Sequence, residues 1–295
     1  MIKTDFRADL VAHIGARLQH LGYHPDAAGD ARQRPAPYLM LLLRALRRMP
    51  AARPRRNVRA PGFTVPAAHE AGFQALLRAV ESGQTLRPWL STLVGKLMKR
   101  DALLDDWGIH HFHLGAAAHR TRKGFVERTD EVAFAMVRPD AVYFLVATSH
   151  NSDTAPFVWT QTALVDVVHC NWPALIETPG MPSHGHVLTA EDHARFREHR
   201  VNAGVTVSDG TVYYPPGGGM MSNGDGATDY MYQMQLLRRL DYLEAAVHQR
   251  EAEIRAMLRV GSNAELALEA RFEIGFPEGF TVDVHDPLRN ISIRL

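Results

Sequence analysis

The chemically densest stretch of the chain is Asp105-Asp106-Trp107-Gly108-Ile109-His110-His111-Phe112-His113-Leu114-Gly115. Its histidines sit in an otherwise apolar run bracketed by Gly108 and Gly115. On a strand, side chains alternate between faces. His111 and His113 then share one face with Ile109, while His110, Phe112 and Leu114 share the other. Two imidazoles at i and i+2 can hold one metal ion, or work as an acid–base pair on one substrate. The structural alternative is a strand whose histidines are buried and satisfied by backbone carbonyls.

Metal-independent RNA cleavage fits these residue types. One group removes the 2′-hydroxyl proton, a second protonates the leaving 5′-oxygen, and a cation stabilises the phosphorane. Histidine suits both proton roles near neutral pH. His111, His113 and His150 are the candidates for them. Arg120 is the candidate catalytic cation, and Arg122 and Lys123 are candidate substrate contacts. The rival chemistry is metal-assisted hydrolysis. His-x-His supplies two ligands, and His150, Asp153 or His119 a third, leaving a position for water on zinc. No carboxylate stands at a fixed spacing beside the histidines, and His-Glu-x-x-His is absent. No metal ligand is therefore assigned and no cofactor is expected, with zinc as the alternative.

A second feature is a charge asymmetry. Between Ala31 and His69 there is no acidic residue, while Arg44, Arg47, Arg48, Arg53, Arg55, Arg56 and Arg59 accumulate among Pro50, Pro54 and Pro61. This is expected to be a solvated basic loop. Arg53, Arg55 and Arg56 could contact phosphate there, because guanidinium pairs bidentately with phosphate oxygens. The alternative is a solvated loop with no ligand.

The bulk properties narrow the class. A chain of 295 residues with 46% hydrophobic and 22% charged content supports a real core, and a net charge of +1 gives no global drive toward nucleic acid or membrane. A single cysteine, Cys170, excludes an internal disulfide and suits a reducing cytoplasm. Cys170 itself is expected to be buried and inert. The first residues carry early charges and no apolar core, so no signal peptide is expected. No apolar run is long enough to span a bilayer.

The positioning elements follow from periodicity. Residues 4–21, 37–49, 67–82 and a stretch from Pro88 to Met98 are expected to be helices, making the N-terminal third helical. Residues 132–137 and 142–147 are apolar runs joined by Arg138-Pro139-Asp140-Ala141, a hairpin of interior strands. Residues 159–169 are expected to be a helix. Thr189 is placed as an N-cap, and 201–214 as a hairpin turning at Ser208-Asp209-Gly210. Gly217-Gly218-Gly219 is either an anion-cradling turn or a linker. Residues 228–258 form a long helix whose seam (Leu240, Leu243, Val247, Ile254, Met257) belongs to the core or to a homodimer. Two strands end the chain.

The expected fold is α+β: a helical N-terminal third, a central antiparallel sheet, one long C-terminal helix and a terminal β-hairpin. Three regions are expected. They are 1–100 with the basic loop, 101–226 as the α+β core carrying the histidines, and 227–295 with the long helix and hairpin.

The stretch Trp107-Gly108-Ile109-His110-His111-Phe112-His113-Leu114-Gly115 resembles one found in bacterial proteins to which no function is attached. In element order alone, residues 85–170 resemble the small toxin ribonucleases of the barnase, colicin and RelE type. That resemblance implies an RNA-directed nuclease, and the single cysteine gives the expectation of a cytoplasmic one. The leading expectation is a phosphodiester-cleaving enzyme using histidine acid–base chemistry on RNA. The alternatives are a His-x-His metal hydrolase and a non-catalytic protein that binds nucleic acid or protein.

Overall fold

A computed structural model describes residues 1–23, 35–96, 101–151, 153, 162–176, 180–182, 185, 187–276 and 279–293. The chain opens with β1 (Ile2–Lys3), α1 (Phe6–His20), α2 (Pro35–Arg48), β2 (Arg56–Arg59), α3 (Glu70–Ser82) and α4 (Ala102–Trp107). Then come β3 (Ile109–His113), β4 (Glu131–Val137), β5 (Ala141–Ser149), α5 (Thr162–Asn171), β6 (Met181–Pro182), α6 (Ala190–Glu198), β7 (Val205–Thr206) and β8 (Thr211–Tyr213). It closes with α7 (Ala227–Gln249), α8 (Glu251–Met257), β9 (Leu266–Ala267), β10 (Glu269–Gly275), β11 (Gly279–Asp286) and β12 (Ile291–Ile293). The fold is α+β, as expected. No helix among the described residues is long and apolar enough to cross a membrane.

Two compact units result, one of Met1–Leu46 with Asp229–Leu295 and the other of Arg47–Thr228. The chain's two ends thus share a unit, in place of three consecutive regions. In the unit made from the ends, α1 buries Phe6, Leu10, Ile14 and Leu18. β10, β11 and β12 form an antiparallel sheet, so the expected terminal hairpin gains a third strand. The long helix breaks at Arg250 into α7 and α8. Its seam residues Leu240, Leu243, Val247 and Ile254 are buried within the single chain. That seam is already filled, so it is not a surface through which two copies could pair. Met257, the last residue assigned to it, is exposed.

The unit from Arg47 to Thr228 is built on a four-stranded sheet in the order β2-β5-β4-β3. β3, β4 and β5 are antiparallel, as the hairpin signal implied. β2 runs parallel to β5, so the sheet is mixed rather than antiparallel throughout. The hairpin of β7 and β8 stands in a separate small sheet with β6. Both faces of the main sheet are covered, which explains the nearly continuous apolar character of β4 and β5. One face packs Phe112, Ala133, Ala135 and Phe144 against Phe73, Leu76 and Val80 of α3. A Cβ on Gly72 would fall 2.0 Å from the Leu114 carbonyl oxygen, so only glycine lets α3 cross the end of β3 this closely. The other face packs Ile109, Val132, Phe134, Met136 and Leu145 against Leu164, Val165 and Val168 of α5.

Two expectations are corrected here. Part of the basic loop is a strand, β2. Arg55 is buried, donating from Nε to the Arg138 carbonyl at 2.9 Å and from Nη1 to the Arg53 carbonyl at 3.1 Å. Arg56 is paired with Asp140 at 2.6 Å. These arginines fasten β2 to the sheet instead of presenting a row of free cations. The helix expected between Pro88 and Met98 appears as two 3-10 turns, Arg87–Trp89 and Thr92–Gly95. Leu90 is extended between them, and the Ser91 hydroxyl accepts from the Leu93 N–H, which restarts the turn instead of continuing a helix. Met98, like the expected helix start at Trp159, lies outside the described residues.

Candidate active site

β3 is placed by a sharp local signal. Asp101 caps α4 through the Leu104 N–H, and Gly108 ends that helix in the left-handed conformation. The chain then enters β3 with His111 opposite Phe134 and His113 opposite Val132. His150 follows β5, and its N–H donates to the Asp130 carbonyl at 3.0 Å. The sheet therefore brings together residues nearly forty positions apart in the chain.

The three rings converge. Ring centres are 6.1 Å apart for His111 and His113, 6.2 Å for His111 and His150, and 5.2 Å for His113 and His150. His111 and His150 are nearly stacked, with 29° between planes, while His150 meets His113 edge-on at 75°. His110 points to the opposite face and stacks on Phe112, as alternation requires. His113 is buried, and the His111 side chain retains 13% exposure.

Each Nδ1 of the three faces oxygen. His150 Nδ1 is 2.6 Å from the Asp130 carbonyl, and His113 Nδ1 is 3.2 Å from the Thr129 carbonyl. His111 Nδ1 is 3.9 Å from an Asp101 carboxylate oxygen. The Nε2 atom of His113 is buried with no hydrogen-bond partner.

Burial dominates the electrostatics. It pushes His113 down to about 3, with Arg128 the next cause, and His110 down to about 3 on the other face. His111 is also lowered, first by burial, with Asp101 opposing the shift and His150 and Arg128 adding to it. Arg128, near the end of the second basic segment, which joins β3 to β4, lies within electrostatic reach of both His111 and His113. Arg120, the expected cation, is 91% exposed beside Glu127. Arg122 and Lys123 are exposed on the same loop. Arg128 belongs to the same basic run, but no spacing rule distinguishes it from its neighbours. Asp101 was legible only as a polar residue before an apolar helix.

These shifts predict a pH dependence of stability. An unfolded histidine binds its proton near pH ~6.5. Folded His110 and His113 refuse theirs until about 3. Between these values the unfolded state binds more protons, so stability is full above pH ~6.5 and drains as pH falls. Each such group adds about 1.4 kcal/mol per pH unit inside that window. His110→Leu should remove one increment from the slope of unfolding free energy between pH 6 and pH 4, measured by urea titration. An unchanged slope would show that His110 is not held neutral.

The ring centres cluster, but among the described residues no three His, Cys, Asp or Glu side chains are arranged to hold a metal ion. Asp153 is exposed and its N–H donates to Asn151 Oδ1, while His119 Nδ1 accepts from the Thr121 and Arg122 N–H groups.

Two other sequence features resolve into structure. Cys170 is exposed, not buried. Its neighbour His169 is clamped between the Tyr213 hydroxyl at 2.8 Å and Asp209 at 3.1 Å, tying α5 to the β7–β8 turn. In the glycine run, the Gly217 N–H donates to the Asp106 carbonyl and the Gly218 N–H to the Pro215 carbonyl. A Cβ on Gly217 would fall 2.0 Å from the Asp105 carbonyl oxygen. This run packs on the backbone of α4, and those two N–H groups are already engaged.

Compared with protein-family models, curated proteins and solved structures, the chain matches none.

Proposed function

We propose that this chain cleaves phosphodiesters, with RNA as the substrate class, by histidine acid–base chemistry. The observation that supports this most directly is the convergence of His111, His113 and His150 within 6.2 Å, with Arg128 in electrostatic reach. His111, held neutral by burial, takes the proton from the 2′-hydroxyl, whose oxygen attacks phosphorus. His150 donates a proton from Nε2 to the leaving 5′-oxygen, its Nδ1–H being directed to the Asp130 carbonyl. The P–O5′ bond breaks, leaving a 2′,3′-cyclic phosphate and a 5′-hydroxyl. Arg128 stabilises the charge on the phosphorane. His113, buried edge-on to His150, positions that ring.

This mechanism needs a 2′-hydroxyl and no metal. The purified chain should convert RNA to cyclic-phosphate ends with a bell-shaped pH–rate curve, leave DNA intact, and keep its rate in chelator. Cleavage of DNA at a similar rate would rule out the internal nucleophile. The second reading is metal-assisted hydrolysis. It is favoured by the buried, unpartnered Nε2 of His113 and by Nδ1 atoms held against carbonyls, the arrangement that orients metal-binding imidazoles. Activity lost in chelator and restored by zinc would select it.

A further inference from the structure

Two stretches of the chain carry cations and no acid. One runs from Ser82 to Arg100 and the other from Trp107 to Val126. The fold lays parts of them side by side. The Val126 N–H donates to the Pro88 carbonyl at 2.9 Å. The Arg87 guanidinium lies over the Phe125 ring, 5.6 Å from its centre. Arg128 Nη1 stands 3.5 Å from Ser91 Oγ and 3.4 Å from Thr92 Oγ1. The two 3-10 turns before α4 are therefore the seat on which the β3–β4 connection rests.

That connection is a fastened hairpin. Ala118 bridges Val126 in the antiparallel sense, and the Glu127 N–H donates to the Ala117 carbonyl at 2.9 Å. The His119 N–H donates to the Phe125 carbonyl at 2.8 Å. A Cβ on Gly115 would fall 2.2 Å from the Glu127 carbonyl oxygen, so only glycine lets the two arms meet this closely. The tip turns through Gly124, whose φ is +81°. Backbone bonds hold this shape, and the exposed side chains of Arg122 and Lys123 are not used to build it. Glu127 stands 4.0 Å from Arg120. Among the described residues, no carboxylate lies within ion-pair distance of Arg87, Arg122, Lys123 or Arg128. A rigid scaffold with uncancelled cations binds an anion at a reduced ordering cost.

We propose that this surface grips a single-stranded nucleic acid by phosphates beyond the one being cleaved. It rests on the phosphodiesterase reading for the strand it serves. Arg122 and Lys123 stand at the hairpin tip and Arg128 at its base, so the row of cations leads away from the histidines. Guanidinium pairs bidentately with phosphate oxygens, and lysine adds a point charge. His111 keeps only 13% side-chain exposure, so the backbone that reaches it must be a thin single strand and not a duplex. Contacts to phosphate carry no base or sugar preference, so DNA binds here as RNA does.

Anisotropy of a fluorescein-labelled single-stranded DNA dodecamer, titrated with the full chain across a salt series, tests this. The probe lacks the 2′-hydroxyl, so it reads the surface without cleavage. Wild type should bind at about 50 mM salt and weaken steeply as salt rises, because each phosphate contact releases counterions. The Arg122→Ser/Lys123→Ser protein should bind about tenfold more weakly. Its slope of log affinity against log salt should be shallower by about 1.4, from two lost contacts at ~0.7 each. Lys123→Ser alone should give half of that change in slope, and it serves as the test if the double variant does not fold. Arg195→Ser removes a cation that Glu191 already holds on α6, and should bind within about twofold of wild type. An unchanged slope in both hairpin variants would overturn the proposal, as would a wild type with no salt-dependent binding. So would retention on phosphatidylserine vesicles by a protein that ignores the oligonucleotide, which would assign the surface to a membrane. Oligonucleotide binding that depends on Arg122 and Lys123, in a protein that leaves RNA uncut, would uphold this surface and end the phosphodiesterase reading. RNA turnover, with hairpin variants that bind like wild type, would do the reverse.

Discussion

His111→Ala is expected to lower RNA turnover by about 10²–10⁴-fold, the usual contribution of a positioned proton-transfer group. Its ring is the one that combines partial exposure with stacking on His150 and proximity to Asp101. The basic limb of the pH–rate curve should be little changed, while the acidic limb, which reports the base, should disappear. Arg128→Ala should also cost turnover, because removing one preorganised charge from a transition state costs about 10²–10³-fold. Arg120→Ala should be nearly silent, since that side chain is 91% exposed. Binding of RNA should survive in the His111→Ala protein. If Arg120→Ala were the more damaging of the two arginine changes, the assignment of the cation to Arg128 would fail. If His111→Ala kept wild-type turnover, the acid–base reading would be wrong.

Phe134→Ala is expected to cost the Arg47–Thr228 unit about 3–5 kcal/mol, the range for removing a fully buried phenylalanine from a packed core. Phe134 is 0% exposed, and its ring lies 6.4 Å from His111. It is also the cross-strand partner of His111. Deleting it therefore opens a cavity beneath the catalytic ring as well as weakening the sheet. Phe134→Leu keeps most of the volume and should cost less. Trp89, Trp107, Trp159 and Trp172 all fall within Arg47–Thr228, so tryptophan fluorescence in urea reports this unit alone. A loss below about 1 kcal/mol would mean that the site collapses freely around the gap and that Phe134 does not brace it.

The amino-acid sequence by itself determined the local elements that build the site. Alternation in Ile109–His113 placed His111 and His113 on one face and His110 on the other, because strand geometry leaves no other choice. The apolar runs of β4 and β5 and the short connection between them specified an antiparallel hairpin, since both signals lie within one short window. Thr189 and Asp192 likewise specified the start of α6, because a capping box involves residues three apart.

Only the tertiary structure decided what depends on distant partners. Arg56 meets Asp140 across 84 positions, and the parallel pairing of Arg56–Arg59 with Ala141–Phe144 of β5 makes a strand of an arginine-rich, proline-broken segment. Local composition records charge and chain breakers, but not the free sheet edge that a segment finds. The arrival of His150 beside His113 depends on the register of β5 against β4. The choice of Arg128 over Arg120 depends on how a loop of similar cations folds back. The unpaired Nε2 of His113 is likewise invisible in the sequence, because burial is a property of packing that no single segment carries.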